Sequence, residues 1–239
     1  METLPDFHII ARIHTDFPTK FGIPRQSGVV EALKGVIVFE PYYRNPDALR
    51  GLEEFSHIWL IWLFSQSIPE SDHPVRWSPT VRPPRLGGNQ RMGVFSTRSP
   101  FRPNPIGLSS VTLEKVQLQS EKGPLLYVAG ADLMDGTPIL DIKPYLAFSD
   151  SHPDAAGGFA KPKESYRLEV VFPPSLLRQI SPDLQDALIQ VLAQDPRPSY
   201  QKDPCRIYGF AFAKWEIRFA VEGSYLKVQQ VELRKEKKE

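Results

Sequence analysis

Up to residue 132 this chain is written in apolar runs of strand length, and no long amphipathic helix interrupts them. Residues 7–14 alternate around Ile9, Ala11 and Ile13, 35–39 form a short β-branched run, and 56–64 are rich in Trp, Ile and Leu. Residues 92–96, 107–118 and 125–132 complete a set of strands separated by turns, while 47–55 read as a short helix. Strands without covering helices must bury their apolar faces against one another. The pattern therefore predicts a β-barrel or strongly curved sheet and argues against a doubly wound fold.

Residues 149–163 are rich in Pro, Gly, Ala and Ser and read as a linker or long loop. Beyond it the pattern changes. Residues 165–172 read as a strand and 174–194 as helical, with a break at Ser181-Pro182-Asp183, where Pro182 suits a first turn after an N-cap serine. Residues 207–213, 214–221 and 226–233 read as three antiparallel strands, the last two joined by a tight turn at Glu222-Gly223-Ser224. The expected organisation is a β domain over 1–150, a linker over 151–163 and a small α+β domain over 164–239.

Several function classes have no signature here. No G-x-G-x-x-G follows a strand, and no Walker loop, H-E-x-x-H or G-x-S-x-G occurs. Cys205 is the single cysteine, and the five histidines lack ligand spacing, so no metal is expected. His57, in an apolar run, reads as a core histidine. The first residues carry no basic and apolar leader pattern, and the longest apolar run, 58–64, is far too short to span a bilayer. A cytoplasmic protein without a membrane partner is the expectation.

Charge is the informative exception. The net charge is +1, yet residues 73–113 contain no Asp, Glu or Lys and carry Arg76, Arg82, Arg85, Arg91, Arg98 and Arg102. Guanidinium groups pair bidentately with phosphate or carboxylate and stack on bases. Prolines between the arginines stiffen the loop, and Asn104 between two prolines is held in one orientation. The window reads as an anion or nucleic-acid site; the alternative is a solvated loop whose arginines pair with acids elsewhere.

Three further constellations stand out. Asp132-Leu133-Met134-Asp135-Gly136-Thr137-Pro138, followed by Asp141-Ile142-Lys143-Pro144-Tyr145, looks like a strand-end turn, or like carboxylates, a lysine and a tyrosine gathered for a ribose-bearing or cationic ligand. Gly22-Ile23-Pro24-Arg25-Gln26-Ser27-Gly28 presents Arg25 and Gln26 on a stiff loop. Asp195-Pro196-Arg197-Pro198-Ser199-Tyr200 ends the helix, either as a plain proline turn or as a phosphate and base contact through Arg197 and Tyr200.

Together with Arg82-Pro83-Pro84-Arg85-Leu86-Gly87-Gly88-Asn89 and Thr97-Arg98-Ser99 through Gly107, these segments resemble the TsaA-like methyltransferase family, and the turn at Asp195 is similar to its bacterial TrmO members. The resemblance runs from residue 7 to about 233. It implies a mainly β fold, with a single-sheeted β-barrel N-terminal domain that binds S-adenosylmethionine, a small α+β C-terminal domain and a homodimer. It implies methylation of N6 of N6-threonylcarbamoyladenosine next to the anticodon of threonine tRNA. Alternatives are an S-adenosylmethionine-sensing RNA-binding module without catalysis, or a methyltransferase on another substrate.

By that resemblance the cofactor positions are Gln26, Ser65, Gln66, Arg98, Leu108, Asp132, Leu133, Met134 and Asp135. Ser65 stands where such chains often carry His; a backbone contact survives that change and a side-chain contact does not. The urea-type N6 is a poor nucleophile, so loss of its proton helps transfer, and Tyr145 and Asp135 are the candidate bases. Arg98, Arg102 or Lys143 would meet a carboxylate of the cofactor or the threonyl group. Arg25, Arg76, Arg82, Arg85, Arg91, Asn104, Arg197 and Tyr200 complete the expected tRNA contacts.

Overall fold

The computed structural model of the protein describes residues 7–67, 77–83, 86, 88–160, 167–197, 203 and 205–234. Six strands close into one barrel: β1 (Ala11–Thr15), β2 (Lys34–Phe39), β3 (His57–Leu63), β6 (Ile106–Gln117), β7 (Leu125–Ala129) and β8 (Thr137–Pro144). Their order around the barrel is β1-β2-β7-β6-β3-β8, every neighbour antiparallel. Alternate residues point inward, so Ala11, Ile13, Ile37, Ile58, Leu60, Val111, Leu126, Val128 and Ile139 form one core. A two-stranded ribbon, β4 (Thr80–Val81) with β5 (Met92–Gly93), lies in the arginine-rich segment.

Local structure departs from the sequence pattern in four places. Residues 47–55 are not one helix. They form two 3₁₀ turns, Pro46–Leu49 and Leu52–Glu54, separated by Gly51 at φ 85°, which no helix accommodates. Residues 92–96 are strand only at Met92–Gly93, because Thr97 turns back and its N–H and hydroxyl both donate to the Val94 carbonyl. His57 is exposed at the start of β3, its Nδ1 2.9 Å from the Ser56 hydroxyl, and is no core histidine.

The fourth departure is β8, which closes the barrel where the sequence shows turn residues and prolines. Pro138 pairs only with Arg12 of β1, and β8 meets β3 from Ile139 onward. The proline thus occupies an edge-like position, where a missing N–H costs no ladder bond.

The second core belongs to the C-terminal part. A four-stranded sheet has the order β10 (Tyr208–Phe212), β11 (Trp215–Glu222), β12 (Tyr225–Leu233) and β9 (Glu169–Val171), with β9 parallel to β12. Between β8 and β9 lies the short helix α1 (Ala147–Asp150); α2 (Pro174–Leu177) and α3 (Pro182–Ala193) follow β9. The break before Pro182 is present, although the Ser181 side chain makes no capping hydrogen bond. Helix α3 packs Ala187, Leu188, Val191 and Leu192 into this core.

Three residues of that core come from the far end of the sequence. Phe17, Val30 and Leu33, in the loop between β1 and β2, are buried with the C-terminal strands and α3. Phe17 sets its ring edge against Phe212 at 5.6 Å, and the Ala213 N–H donates to the Asp16 carbonyl at 2.7 Å. The loop that leaves the barrel is therefore part of the C-terminal core.

Charge is less well matched at this junction. Burial, with the carboxylates of Asp183 and Asp135 nearby, raises the Asp16 carboxyl above its ordinary value. A raised folded-state carboxyl favours folding while protonated, and that contribution is lost as pH rises through its folded value. Asp16→Asn is therefore expected to raise the melting temperature at neutral pH, with the gain fading on acidification. Thermal melts at two pH values check the sign.

Candidate active site

One end of the barrel carries a cavity of about 1000 Å³. The end of β3, the start of β6 and the loop after β7 meet there, and the β1–β2 loop folds over them. That loop is stitched in place by backbone bonds: the Gly28 N–H donates to the Gly130 carbonyl, and the Gly130 N–H to the Leu33 carbonyl, both at 2.9 Å. Below, the Phe64 N–H donates to the Pro105 carbonyl at 2.8 Å and sets the 3₁₀ turn Ser65–Ser67 beside the proline-rich loop.

The cavity gathers residues that lie far apart in sequence. Gln26, Ser65, Gln66, Arg98, Leu108, Asp132, Leu133 and Met134 all line it, as do Arg25 and Arg102. Arg98 donates from its guanidinium to the Gln26 side-chain oxygen, tying the arginine loop to the β1–β2 loop. Arg102 donates from Nη1 to the carbonyls of Thr97 at 2.6 Å and Val94 at 3.2 Å, and its guanidinium lies 5.6 Å from the Phe95 ring centre. Arg102 thus folds its own loop as well as facing the cavity. Among the described residues no ion pair involves Arg82, Arg91, Arg98 or Arg102.

Asp132 is the one acid among the described cavity residues. Burial pushes its carboxyl above the ordinary value; the Ser109 hydroxyl, backbone N–H groups and the Arg98 charge oppose that push. Ser109 donates to Asp132 Oδ1 at 2.7 Å and accepts from Trp62 Nε1 at 3.1 Å. The cavity therefore sets one carboxylate among the cations Lys20, Arg25, Arg98 and Arg102, between aromatic and aliphatic walls from Trp59, Trp62, Phe64, Phe101 and Leu133.

Other expected site residues lie outside this wall. Asp135 accepts from the Thr15 N–H and pairs with His14 Nδ1, each at 3.1 Å. Tyr145 is half-buried behind Trp59, ring centres 5.4 Å apart. Lys143 pairs with Asp141 at 2.9 Å. Asn104 is exposed, and its carbonyl accepts from the Ile106 N–H. Arg82 and Arg91 are exposed and flank the β4–β5 ribbon, Arg91 donating to the Thr80 hydroxyl at 3.0 Å. Arg197 forks onto Asp195 at 2.7 and 2.8 Å in a largely buried pair, with its guanidinium over the Tyr208 ring. Arg76, Arg85 and Tyr200 lie outside the described residues.

Ser109, Trp59, Trp62, Phe64 and Phe101 were not picked out from the sequence. Ser109 did leave a signal: it shares the inward row of β6 with Gly107, Val111 and Leu113, and a polar residue in an apolar row needs a partner. Gly107 also has a spatial reason. A Cβ there would lie 2.2 Å from the Trp62 ring, so only glycine lets the indole reach Ser109.

Known proteins share this architecture throughout. Residues 12–151 match the tRNA-methyltransferase O N-terminal domain and 165–234 the TrmO C-terminal domain. The tRNA (adenine(37)-N6)-methyltransferase of Escherichia coli is 40% identical over 236 residues, 95% of this chain and 98% of that protein. A putative S-adenosylmethionine-dependent methyltransferase of Pseudomonas aeruginosa is 41% identical over 218 residues, covering 87% of this chain and 88% of the relative. The crystal structure of TrmO from Pseudomonas aeruginosa superposes with a TM-score of 0.74 at 31% identity, over 96% of this chain and all of that one. A closed six-stranded barrel with both matching domains, over nearly the whole length of such relatives, makes this chain a member of the TrmO family of β-barrel methyltransferases.

Proposed function

We propose that this protein transfers a methyl group from S-adenosylmethionine to N6 of adenosine 37 in tRNA, with the threonylcarbamoyl form of that base in threonine tRNA as its substrate. The observation that carries the reading is the cavity: Asp132 among basic side chains with the Arg98 charge acting on it, aromatic rings around them, and a volume at the upper end of the roughly 300–1000 Å³ of ligand pockets. Asp132 suits the α-ammonium of the cofactor's methionyl end and Arg98 its α-carboxylate. Trp59, Trp62, Phe64 and Phe101 offer faces for an adenine and for an unstacked base of an RNA loop. When bound, the cofactor supplies an electrophilic methyl on a sulfonium. The protein's part is to align the acceptor nitrogen with that methyl and exclude water, and such positioning supplies much of an enzyme's acceleration.

Asp135 and Tyr145 act in this reading from behind the wall. Asp135 fixes the loop that carries Met134, and Tyr145 backs Trp59. Gln26, Ser65, Gln66, Arg98, Leu108 and Asp132 to Met134 hold the cofactor; Arg25 and Arg102 face the incoming nucleotide. Homodimerisation and a cytoplasmic location belong to the same proposal. Among the described residues, no helix is long and apolar enough to cross a membrane.

The deciding experiment incubates the protein with methyl-labelled S-adenosylmethionine and tRNA bearing or lacking the threonylcarbamoyl group. Label is expected only in the modified tRNA. Equal label in both sinks the substrate assignment, and label in neither favours a cofactor sensor. A second measurement addresses the arginine face. Phosphate contacts release counterions, so tRNA affinity should fall steeply with salt, and Arg82→Gln and Arg91→Gln should each reduce the slope of log K against log salt by about 1.

A further inference from the structure

Ser109 is buried to 1% exposure, yet nothing about its place in a β-strand requires a hydroxyl. Its hydrogen bonds have a direction that follows from chemistry alone. The Trp62 indole nitrogen can only donate, so Ser109 Oγ accepts from it at 3.1 Å. The single Ser109 proton is then left for Asp132 Oδ1 at 2.7 Å, and an ionised carboxylate can only accept. Trp62 to Ser109 to Asp132 is thus a one-way chain that ends on the cavity's acid. Two further features maintain it. The would-be Cβ of Gly107 overlaps the Trp62 ring, so the strand keeps a glycine where the indole lies. The β3–β8 register shifts between Ile61 and Trp62, where Leu140 of β8 is the extra residue opposite them.

We propose that Ser109, ordered by Trp62, is a positioning residue of the methyl-donor site: its hydroxyl holds the Asp132 carboxylate in the orientation that receives the cationic end of the cofactor. The inference rests on the reading of the cavity as an S-adenosylmethionine site. It has a consequence beyond geometry. A hydroxyl that donates to a carboxylate favours the charged form, against the burial that disfavours it. Loss of that hydroxyl leaves burial less opposed, so Asp132 should take up a proton at higher pH and release the cofactor there.

The test is calorimetric titration of the full-length protein with S-adenosylmethionine across a pH series, beside steady-state kinetics. Ser109→Ala is expected to weaken binding about 10–100-fold at neutral pH, the range for a hydrogen bond to a charged group. Its acid limb should move to higher pH, and KM for the cofactor should rise while kcat holds. Ser109→Thr, which keeps the hydroxyl, should restore the wild-type pH profile. Trp62→Phe, which removes the first donor and keeps an aromatic ring at the wall, should shift the limb the same way by less; it also keeps the proposal testable should Ser109→Ala fail to fold. Binding by Ser109→Ala that equals wild type, or that falls equally at every pH with no shift of the limb, overturns the positioning role. Wild-type protein that binds no S-adenosylmethionine overturns the cavity reading itself, and this inference with it.

Discussion

Asp132→Asn should weaken S-adenosylmethionine binding by about 10²-fold or more, while the protein melts close to wild type. The side chains are nearly isosteric, and the amide oxygen can still accept from the Ser109 hydroxyl. What disappears is the negative charge of a partly buried group in the cavity wall. Removing one partner of a desolvated charge pair costs about 2–5 kcal/mol, which sets the expected scale. The pH dependence is the sharper readout. Burial raises the Asp132 carboxyl, so wild-type affinity should fall on acidification in a window above the ordinary carboxylate range, as the carboxylate is protonated. Asp132→Asn has no such group to titrate and should be flat through that window. Calorimetry at several pH values gives both numbers. A variant that binds as tightly as wild type would remove Asp132 from the cofactor site.

Alternation in 107–118 placed β6 almost to its ends, because one face of that strand is buried and a period of two leaves little ambiguity. Arg98 and Arg102 of the arginine window line the cavity, and the absence of acids that singled the window out is a property of sequence, independent of fold. Strand β8 was not legible. The Asp-Gly just before it and its own prolines are turn signals, and only a barrel that leaves Pro138 unpaired on one side admits that proline. Asp132 was named as one of several carboxylates, yet its difference from Asp135 is three-dimensional. One faces a cavity with Ser109 behind it; the other is spent on Thr15 and His14. Arg197 shows the same limit in reverse. Its motif stood out, but a fork onto Asp195 two residues away makes it first a brace for its own turn.

The largest stability effect is expected from a residue that touches neither ligand. Phe17 is 1% exposed and belongs by sequence to the barrel half, yet it fills the C-terminal core against Phe212. Phe17→Ala should cost about 3–5 kcal/mol, as buried phenylalanine truncations do. At roughly 2–4 °C per kcal/mol for a protein of this size, the melting temperature should fall about 6–20 °C. The same change should loosen the cavity, because the loop anchored by Phe17 supplies Pro24, Arg25 and Gln26 to its wall. Two bonds carry the coupling at the loop's start: the Asp135 N–H donates to the Phe17 carbonyl at 2.8 Å, and the Thr15 hydroxyl to the Leu133 carbonyl at 2.9 Å. Cofactor affinity is therefore expected to drop with stability in Phe17→Ala, and to recover in part in Phe17→Leu, which refills most of the volume. Differential scanning calorimetry and S-adenosylmethionine titration on the same samples separate the possibilities. A lower melting temperature with unchanged affinity would mean that the C-terminal core and the cavity wall share the loop without sharing its energy.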